Sequence, residues 1–185
     1  MKIIFRKLKN GLGTSLLFSM IACSSSGPAY GQNLEVATSY EAFDAGSSKI
    51  KSLNRLFAGA EVLPGLTFGQ SIYSAAEGDA GGAFFWGFEG RQDFTLTNHT
   101  SVNIGLFIGG GGGASEVSGD GTMTQFRAGL DYKLDERFTL QTATTWTKIS
   151  GTEIDDPGVS VGLSYSFDVS PEDKNLDAIQ SPISR

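Results

Sequence analysis

The chain contains one histidine, His99, and one cysteine, Cys23, so the common nucleophilic and metal chemistries have few footholds. In His99-Thr100-Ser101 an imidazole stands two residues from a hydroxyl. A serine nucleophile needs such a base, and it also needs a third group to orient that base. The plainer reading of His99 is a polar turn residue after Thr97-Asn98. Gly109, Gly111 and Ala114 match the spacing of a dinucleotide-binding glycine loop. That mechanism requires a helix N-terminus facing the pyrophosphate, and residues 115–121 have no helical pattern. Glu77, Asp79, Glu116, Asp120, Glu153, Asp155 and Asp156 fall in Gly- and Ser-rich stretches, where carboxylates can ligate calcium. No EF-hand or repeat spacing organises them, so solvated loops are the simpler account. None of this yields a catalytic, cofactor or metal residue.

A larger inventory of ten charges has a clear order. Glu35, Glu41, Arg55, Glu61, Glu89, Arg91, Asp93, Arg127, Asp131 and Lys133 all fall opposite apolar residues in stretches that alternate with a period of two. The last such stretch is the cleanest: Val159, Val161, Leu163, Tyr165 and Phe167 alternate with Ser160, Gly162, Ser164 and Ser166. That period puts one kind of side chain on each face of a β-strand. Phe138 to Thr147 and Gln125 to Leu134 repeat the pattern, as do Val102 to Gly109 and Phe84 to Leu96. Alternation is weaker in Leu66–Ala75, Arg55–Leu63 and Asn33–Phe43, which complete a predicted set of eight strands. The 25 glycines and 13 phenylalanines fit turn-rich β-structure better than a helical bundle.

The connections alternate as well. Short turns are predicted at Leu63-Pro64-Gly65, Thr97-Asn98-His99 and Asp135-Glu136, and longer loops at 44–54, 76–82, 110–121 and 150–158. A soluble antiparallel barrel or sandwich would turn its apolar face inward. A membrane barrel turns that face to lipid, with short turns at one end, long loops at the other and an aromatic ring at each interface. Tyr40, Phe84, Trp86 and Trp146 lie near the long loops, and Phe94, Tyr132, Phe138 and Phe167 near the short turns. Two rings and an opposite face bearing charges of both signs favour the membrane version, an all-β, eight-stranded, antiparallel up-and-down transmembrane β-barrel over residues 32–167. Both of its ends lie at the short-turn side, in the periplasm.

The start of the chain reads as an export signal. Lys2, Arg6, Lys7 and Lys9 precede an apolar run from Leu12 to Ala22 that is too short to span a bilayer as a helix. Two processing readings stay open. Ala29-Tyr30-Gly31 places small residues where a signal peptidase cuts, giving a mature chain from Gln32. Alternatively Met20-Ile21-Ala22-Cys23 resembles a lipobox, in which residues 1–22 are removed and Cys23 is acylated. Either way the single cysteine excludes an intrachain disulfide. Removal of residues 1–31 takes 4 of the 14 basic residues and leaves 10 against 20 acidic ones. A surface that negative argues against nucleic acid as a partner. Residues 168–185 are polar, with two prolines, and read as a disordered periplasmic tail.

With these elements in place, residues 33–167 resemble the small eight-stranded outer-membrane proteins of the OmpX, OmpA barrel-domain and OmpW types. The most specific match is Gly162-Leu163-Ser164-Tyr165-Ser166-Phe167, which resembles a terminal-strand β-signal through Gly162, Tyr165 and Phe167. The resemblance implies the barrel-assembly machinery as a partner during biogenesis, outer-membrane lipid as the surroundings, and an outer-membrane location. Some barrels of that membrane act on lipid A, and His99-Thr100-Ser101 superficially resembles the His-x-Ser of a lipid A deacylase. The predicted topology sets His99 in a periplasmic turn, across the bilayer from that substrate.

An eight-stranded barrel encloses little more than its own inward side chains. The leading expectation is therefore a non-enzymatic structural or interaction protein whose lumen is plugged by the ten charges. A transport role for small or hydrophobic molecules is the alternative, resting on the inward Phe43, Phe57, Phe85 and Phe107. A third reading is an accessory subunit of an envelope secretion or assembly machine.

Overall fold

The computed structural model describes residues 32–43, 48–79, 82–113, 117 and 120–169. The predicted export signal, Cys23, Ala114, Glu116 and the tail beyond residue 169 lie outside these. Eight strands follow in order: β1 (Gln32–Phe43), β2 (Ser52–Leu63), β3 (Leu66–Glu77), β4 (Phe84–Thr95), β5 (Thr100–Gly112), β6 (Thr122–Lys133), β7 (Phe138–Ile149) and β8 (Asp155–Val169). Each pairs antiparallel with its sequence neighbours, and β8 returns to β1, closing the barrel.

The predicted faces are correct, and apolar points outward. Val159, Val161, Ile104, Ile108, Leu130, Phe88 and Phe126 are all exposed, Phe126 by 63%. Glu41, Arg55, Glu89, Arg91 and Arg127 are buried inside. This is the reverse of a soluble barrel, so the soluble alternative fails. Polar groups on the outer face are treated as hydrocarbon demands. Thr142 and Thr144 donate their hydroxyls to the carbonyls of Leu130 and Ala128 on the neighbouring strand, at 3.0 and 3.3 Å.

The register fixes the barrel's shape. Stepping between partners from Phe43 through Gly158, Thr145, Arg127, Gly105, Arg91 and Thr67 reaches Glu61, one position past the Leu34–Ala60 pair. That is level with Asn33, whose side-chain amide donates to Glu61 at 3.1 Å. One circuit therefore descends ten residues along β1, a stagger that tilts eight strands by about 40° and leaves an interior filled by side chains.

The loops are shorter than expected. β2 begins at Ser52, β5 continues through Gly112, and β8 begins at Asp155. Gly109, Gly110, Gly111 and Gly112 are thus strand, paired to Gly87, Trp86, Phe85 and Phe84. The glycine run looks like a loop because it has no side chains to alternate, yet glycine is what allows the two backbones to approach there. β8 also extends to Val169, two residues past the expected end, because Asp168 and Val169 pair with Asn33 and Gln32. Pro64-Gly65 makes the tightest turn. Proline presets its own φ, and Gly65 takes φ 74°, which side chains disfavour. The Glu61 carboxylate accepts the Gly65 N–H at 2.8 Å.

Candidate functional site

Among the described residues it is the lumen where the strands gather polar chemistry, and it has two storeys. At the long-loop end, Phe43, Leu53, Tyr73, Phe85, Phe107, Met123 and Ile149 pack with Ile50 and Ile154 from the loops into one apolar cluster. Ile50, Leu53, Tyr73, Phe85 and Met123 are wholly buried, and the Tyr73 and Phe107 rings meet edge to face at 4.8 Å. Loop residues fold over the mouth because Ile50 and Ile154 would otherwise be exposed apolar groups. Only Phe43, Phe85 and Phe107 of the four inward phenylalanines join this cap. Phe57 sits lower, 4.9 Å from the guanidinium of Arg55.

Below the cap lies a charge network spanning the barrel. Arg55 donates to both Glu89 oxygens, at 2.8 and 2.6 Å. Glu89 also accepts the Ser71 hydroxyl at 2.5 Å and faces Arg127 at 3.5 Å. Glu41 is held by neutral donors only: Gln125 at 2.9 Å, Thr145 at 2.9 Å and Thr147 at 2.8 Å. Gln125 in turn accepts the Tyr73 hydroxyl at 2.9 Å, joining the network to the cap. Nearer the short turns Arg91 forms a fork with Glu35, at 2.8 and 2.6 Å, and reaches Asp93 at 3.1 Å. Gln141 donates to Glu35 at 3.3 Å. Asp131 is buried beside them.

Eight of the ten expected charges therefore meet in the lumen: Glu35, Glu41, Arg55, Glu89, Arg91, Asp93, Arg127 and Asp131. Two do not. Lys133 is exposed at the short-turn rim, and half-buried Glu61 serves the Pro64-Gly65 turn. The pleat tells which side a residue faces but not its height, and at a strand's end the inward side opens to water. Sequence reasoning also missed the neutral members Gln125, Gln141, Thr145 and Thr147. Their signal was available, since each occupies an inward position, but only charge was followed.

The other candidates are not assembled. His99 is exposed and stacks on Tyr132 at 6.4 Å, and no hydrogen bond joins its ring to Ser101. Gly109 and Gly111 are in a strand without a following helix. Among the described residues no three carboxylate, histidine or cysteine groups gather at metal-binding distance. Asp155 is engaged by Lys148 at 2.6 Å and by the Trp146 indole at 2.8 Å, and Asp120 caps the Thr122 N–H at 3.1 Å.

The β-signal residues lie at the closing seam. Tyr165 packs against Phe138 at 5.0 Å and Phe167 at 5.3 Å, and accepts a hydrogen bond from Arg137 at 3.1 Å. Gly162 faces the lumen opposite Ser39, where a Cβ would stand 2.4 Å from the Thr38 carbonyl and 2.5 Å from the Ser39 Cβ. Only a residue without a side chain lets β8 approach β1 that closely.

Closed antiparallel topology, an apolar outer face, and a charged interior define the fold of the small eight-stranded outer-membrane β-barrels. The chain is similar to the N-terminal β-barrel domain of Pseudomonas aeruginosa OprF, with 18% identity, covering 75% of this chain and 100% of that one at a TM-score of 0.54. Neisserial surface protein A matches at 15% identity over 75% of this chain and 98% of its own, with a TM-score of 0.53. A de novo designed transmembrane β-barrel matches at 12%, over 73% and 95%, with a TM-score of 0.53. No protein-family model and no curated protein matches the chain.

Proposed function

We propose that this is a non-enzymatic outer-membrane barrel with a closed lumen, serving a structural or interaction role in the bacterial envelope. The observation that carries this reading is the two-storey filling: a solid apolar cap over a network in which Arg55, Arg91, Glu35 and Glu89 cross-link the walls. An ion would meet packed apolar side chains at one end and interlocked charged and polar side chains below them. Phe43, Phe85 and Phe107 pack into the cap instead of lining a hollow, which favours this reading over transport of small or hydrophobic molecules. The apolar outer face supports lipid as the surroundings, and likeness in fold to outer-membrane barrels supports a place in that membrane. Planar-bilayer recording of the folded full chain tests the closed lumen: a silent bilayer is expected, and reproducible unitary openings would overturn it.

A further inference from the structure

The lumen's charges do not cancel evenly. The upper group, Glu41, Glu89, Arg55 and Arg127, sums to zero. The lower group sets Glu35, Asp93 and Asp131 against Arg91, with Arg127 acting on Asp93 and Asp131 from above, and the five acids and three arginines of the lumen together leave an excess of two negative charges. Arg91 spends its donors on Glu35 and Asp93, leaving Asp131 without a salt bridge although Arg91, Asp93, Arg127 and Glu35 all act on it electrostatically. Charge left unbalanced in a low-dielectric interior is costly.

Ser52 Oγ, Arg55 Nη1 and Arg127 Nε are buried without a partner higher in the lumen, and the other unpartnered buried atoms gather at the level of Asp131. Asp131 Oδ1, Gln141 Oε1 and both amide atoms of Asn103 are buried with no protein partner. Asn103 and Gln141 are each 98% buried, on a scale where they show 2% exposure. Asp131 and Gln141 are direct cross-strand partners on β6 and β7. Asn103, on β5, pairs with Gly129, the inward residue next to Asp131, and its Oδ1 and Nδ2 both lie 2.9 Å from where a Gly129 Cβ would stand. Gln141 uses its amide N–H on Glu35, which leaves its oxygen as the free end. Three neighbouring strands thus offer one carboxylate oxygen and two amide oxygens, in a lumen with an excess of two negative charges. Among the described residues no three carboxylates stand close enough to hold a metal ion by themselves, and amide oxygens complete the set.

We infer that Asp131, Asn103 and Gln141 form a binding site for one hard divalent cation of the calcium type inside the periplasmic half of the barrel. Calcium accepts mixed carboxylate, amide-carbonyl and water oxygens in flexible geometry, whereas magnesium demands a stricter octahedron. Two positive charges balance the lumen's excess, and the ion ties β5, β6 and β7 together. Entry is from the short-turn end, where the Asp93 and Glu35 side chains retain 22% and 11% exposure. The site is independent of whether the lumen conducts.

The test is calorimetric titration of calcium chloride, then magnesium chloride, into the chelator-treated full chain folded in detergent, with folding of every variant checked by its unboiled gel mobility. The expected result is one calcium per chain, with magnesium at least tenfold weaker. Asp131→Asn weakens calcium at least tenfold, while Asp79→Asn, in an external loop, leaves the isotherm unchanged. Should Asp131→Asn fail to fold, Asn103→Leu, which keeps every charge, carries the same expectation. No saturable calcium binding by the folded wild type overturns the site, as does an isotherm that survives these lumen substitutions but falls with Asp79→Asn.

Discussion

Arg55 on β2 and Glu89 on β4 meet through two hydrogen bonds, at 2.8 and 2.6 Å, with both side chains only 1% exposed. They reach over the intervening strand β3, so the pair braces the barrel wall from inside. Removing one member leaves the other a buried, uncompensated charge, which typically costs about 3–5 kcal/mol.

Glu89→Gln is therefore expected to destabilise the barrel by about 3–5 kcal/mol, because it strands both Arg55 and Arg127. Arg127→Met should cost clearly less, since Arg127 reaches Glu89 only at 3.5 Å and Arg55 still satisfies the carboxylate. Urea unfolding in lipid vesicles gives both values. Equal losses would show that Arg127 is as much a partner of Glu89 as Arg55 is.

The cap makes a separate prediction. Phe85 is wholly buried in the apolar cluster, and truncating it to alanine should cost about 3–5 kcal/mol in the same measurement. Phe126→Ala, on the lipid face, should cost much less because no packed interior loses its filling. A loss at Phe126 matching that at Phe85 would contradict the assignment of inside and outside.

Closure of the barrel depends on Gly162. Gly162→Leu would drive a side chain into the Thr38 carbonyl, so a large fall in the heat-modifiable, SDS-resistant fraction is expected. Gly90→Ala, where the nearest atom to the new Cβ is a Phe68 ring carbon at 3.8 Å, should fold normally. Unboiled gels after refolding distinguish the two, and normal folding of Gly162→Leu would contradict the seam geometry.

At the β6–β7 turn the Asp135 carboxylate accepts the backbone N–H groups of Arg137 and Phe138, each at 2.7 Å. These bonds, that from Phe138 foremost, hold its carboxyl below the usual range. A depressed folded value means the stabilisation is present above the ordinary carboxylate range and lost as pH falls through the lowered value. Asp135→Asn should flatten the acid side of the stability curve below about pH 4 and leave the alkaline side parallel to wild type. An unchanged acid limb would mean that the turn is not held by this carboxylate.

Much of this was legible in the sequence, for a physical reason. In a membrane barrel each strand faces lipid on one side and a packed lumen on the other, so Val159 to Phe167 or Phe138 to Trp146 announce their faces by alternation alone. Height along the axis is not encoded in that period, which is why Lys133 and Glu61 fell to the rim. The cap was half visible in Phe43, Phe85 and Phe107. Ile50 and Ile154 escaped because they sit in stretches that read as polar loops, and only the closed fold brings them over the mouth. The partners across the lumen, Arg91 with Glu35 or Gln125 with Glu41, lie 56 and 84 residues apart, and nothing short of the ten-residue stagger sets which of them meet.

The outward apolar face is the central claim, and Trp86 and Trp146, the two tryptophans of the chain, report on it directly. Both are about half exposed, on the lipid-facing side toward the long-loop ends of β4 and β7. Fluorescence of the folded chain in vesicles of brominated lipids measures their depth. Strong quenching, greatest for bromines near the headgroup end of the acyl chain and weaker at the bilayer centre, is predicted from their place in the external aromatic ring. Emission insensitive to the brominated lipids at every depth would place both rings out of the bilayer and contradict the account.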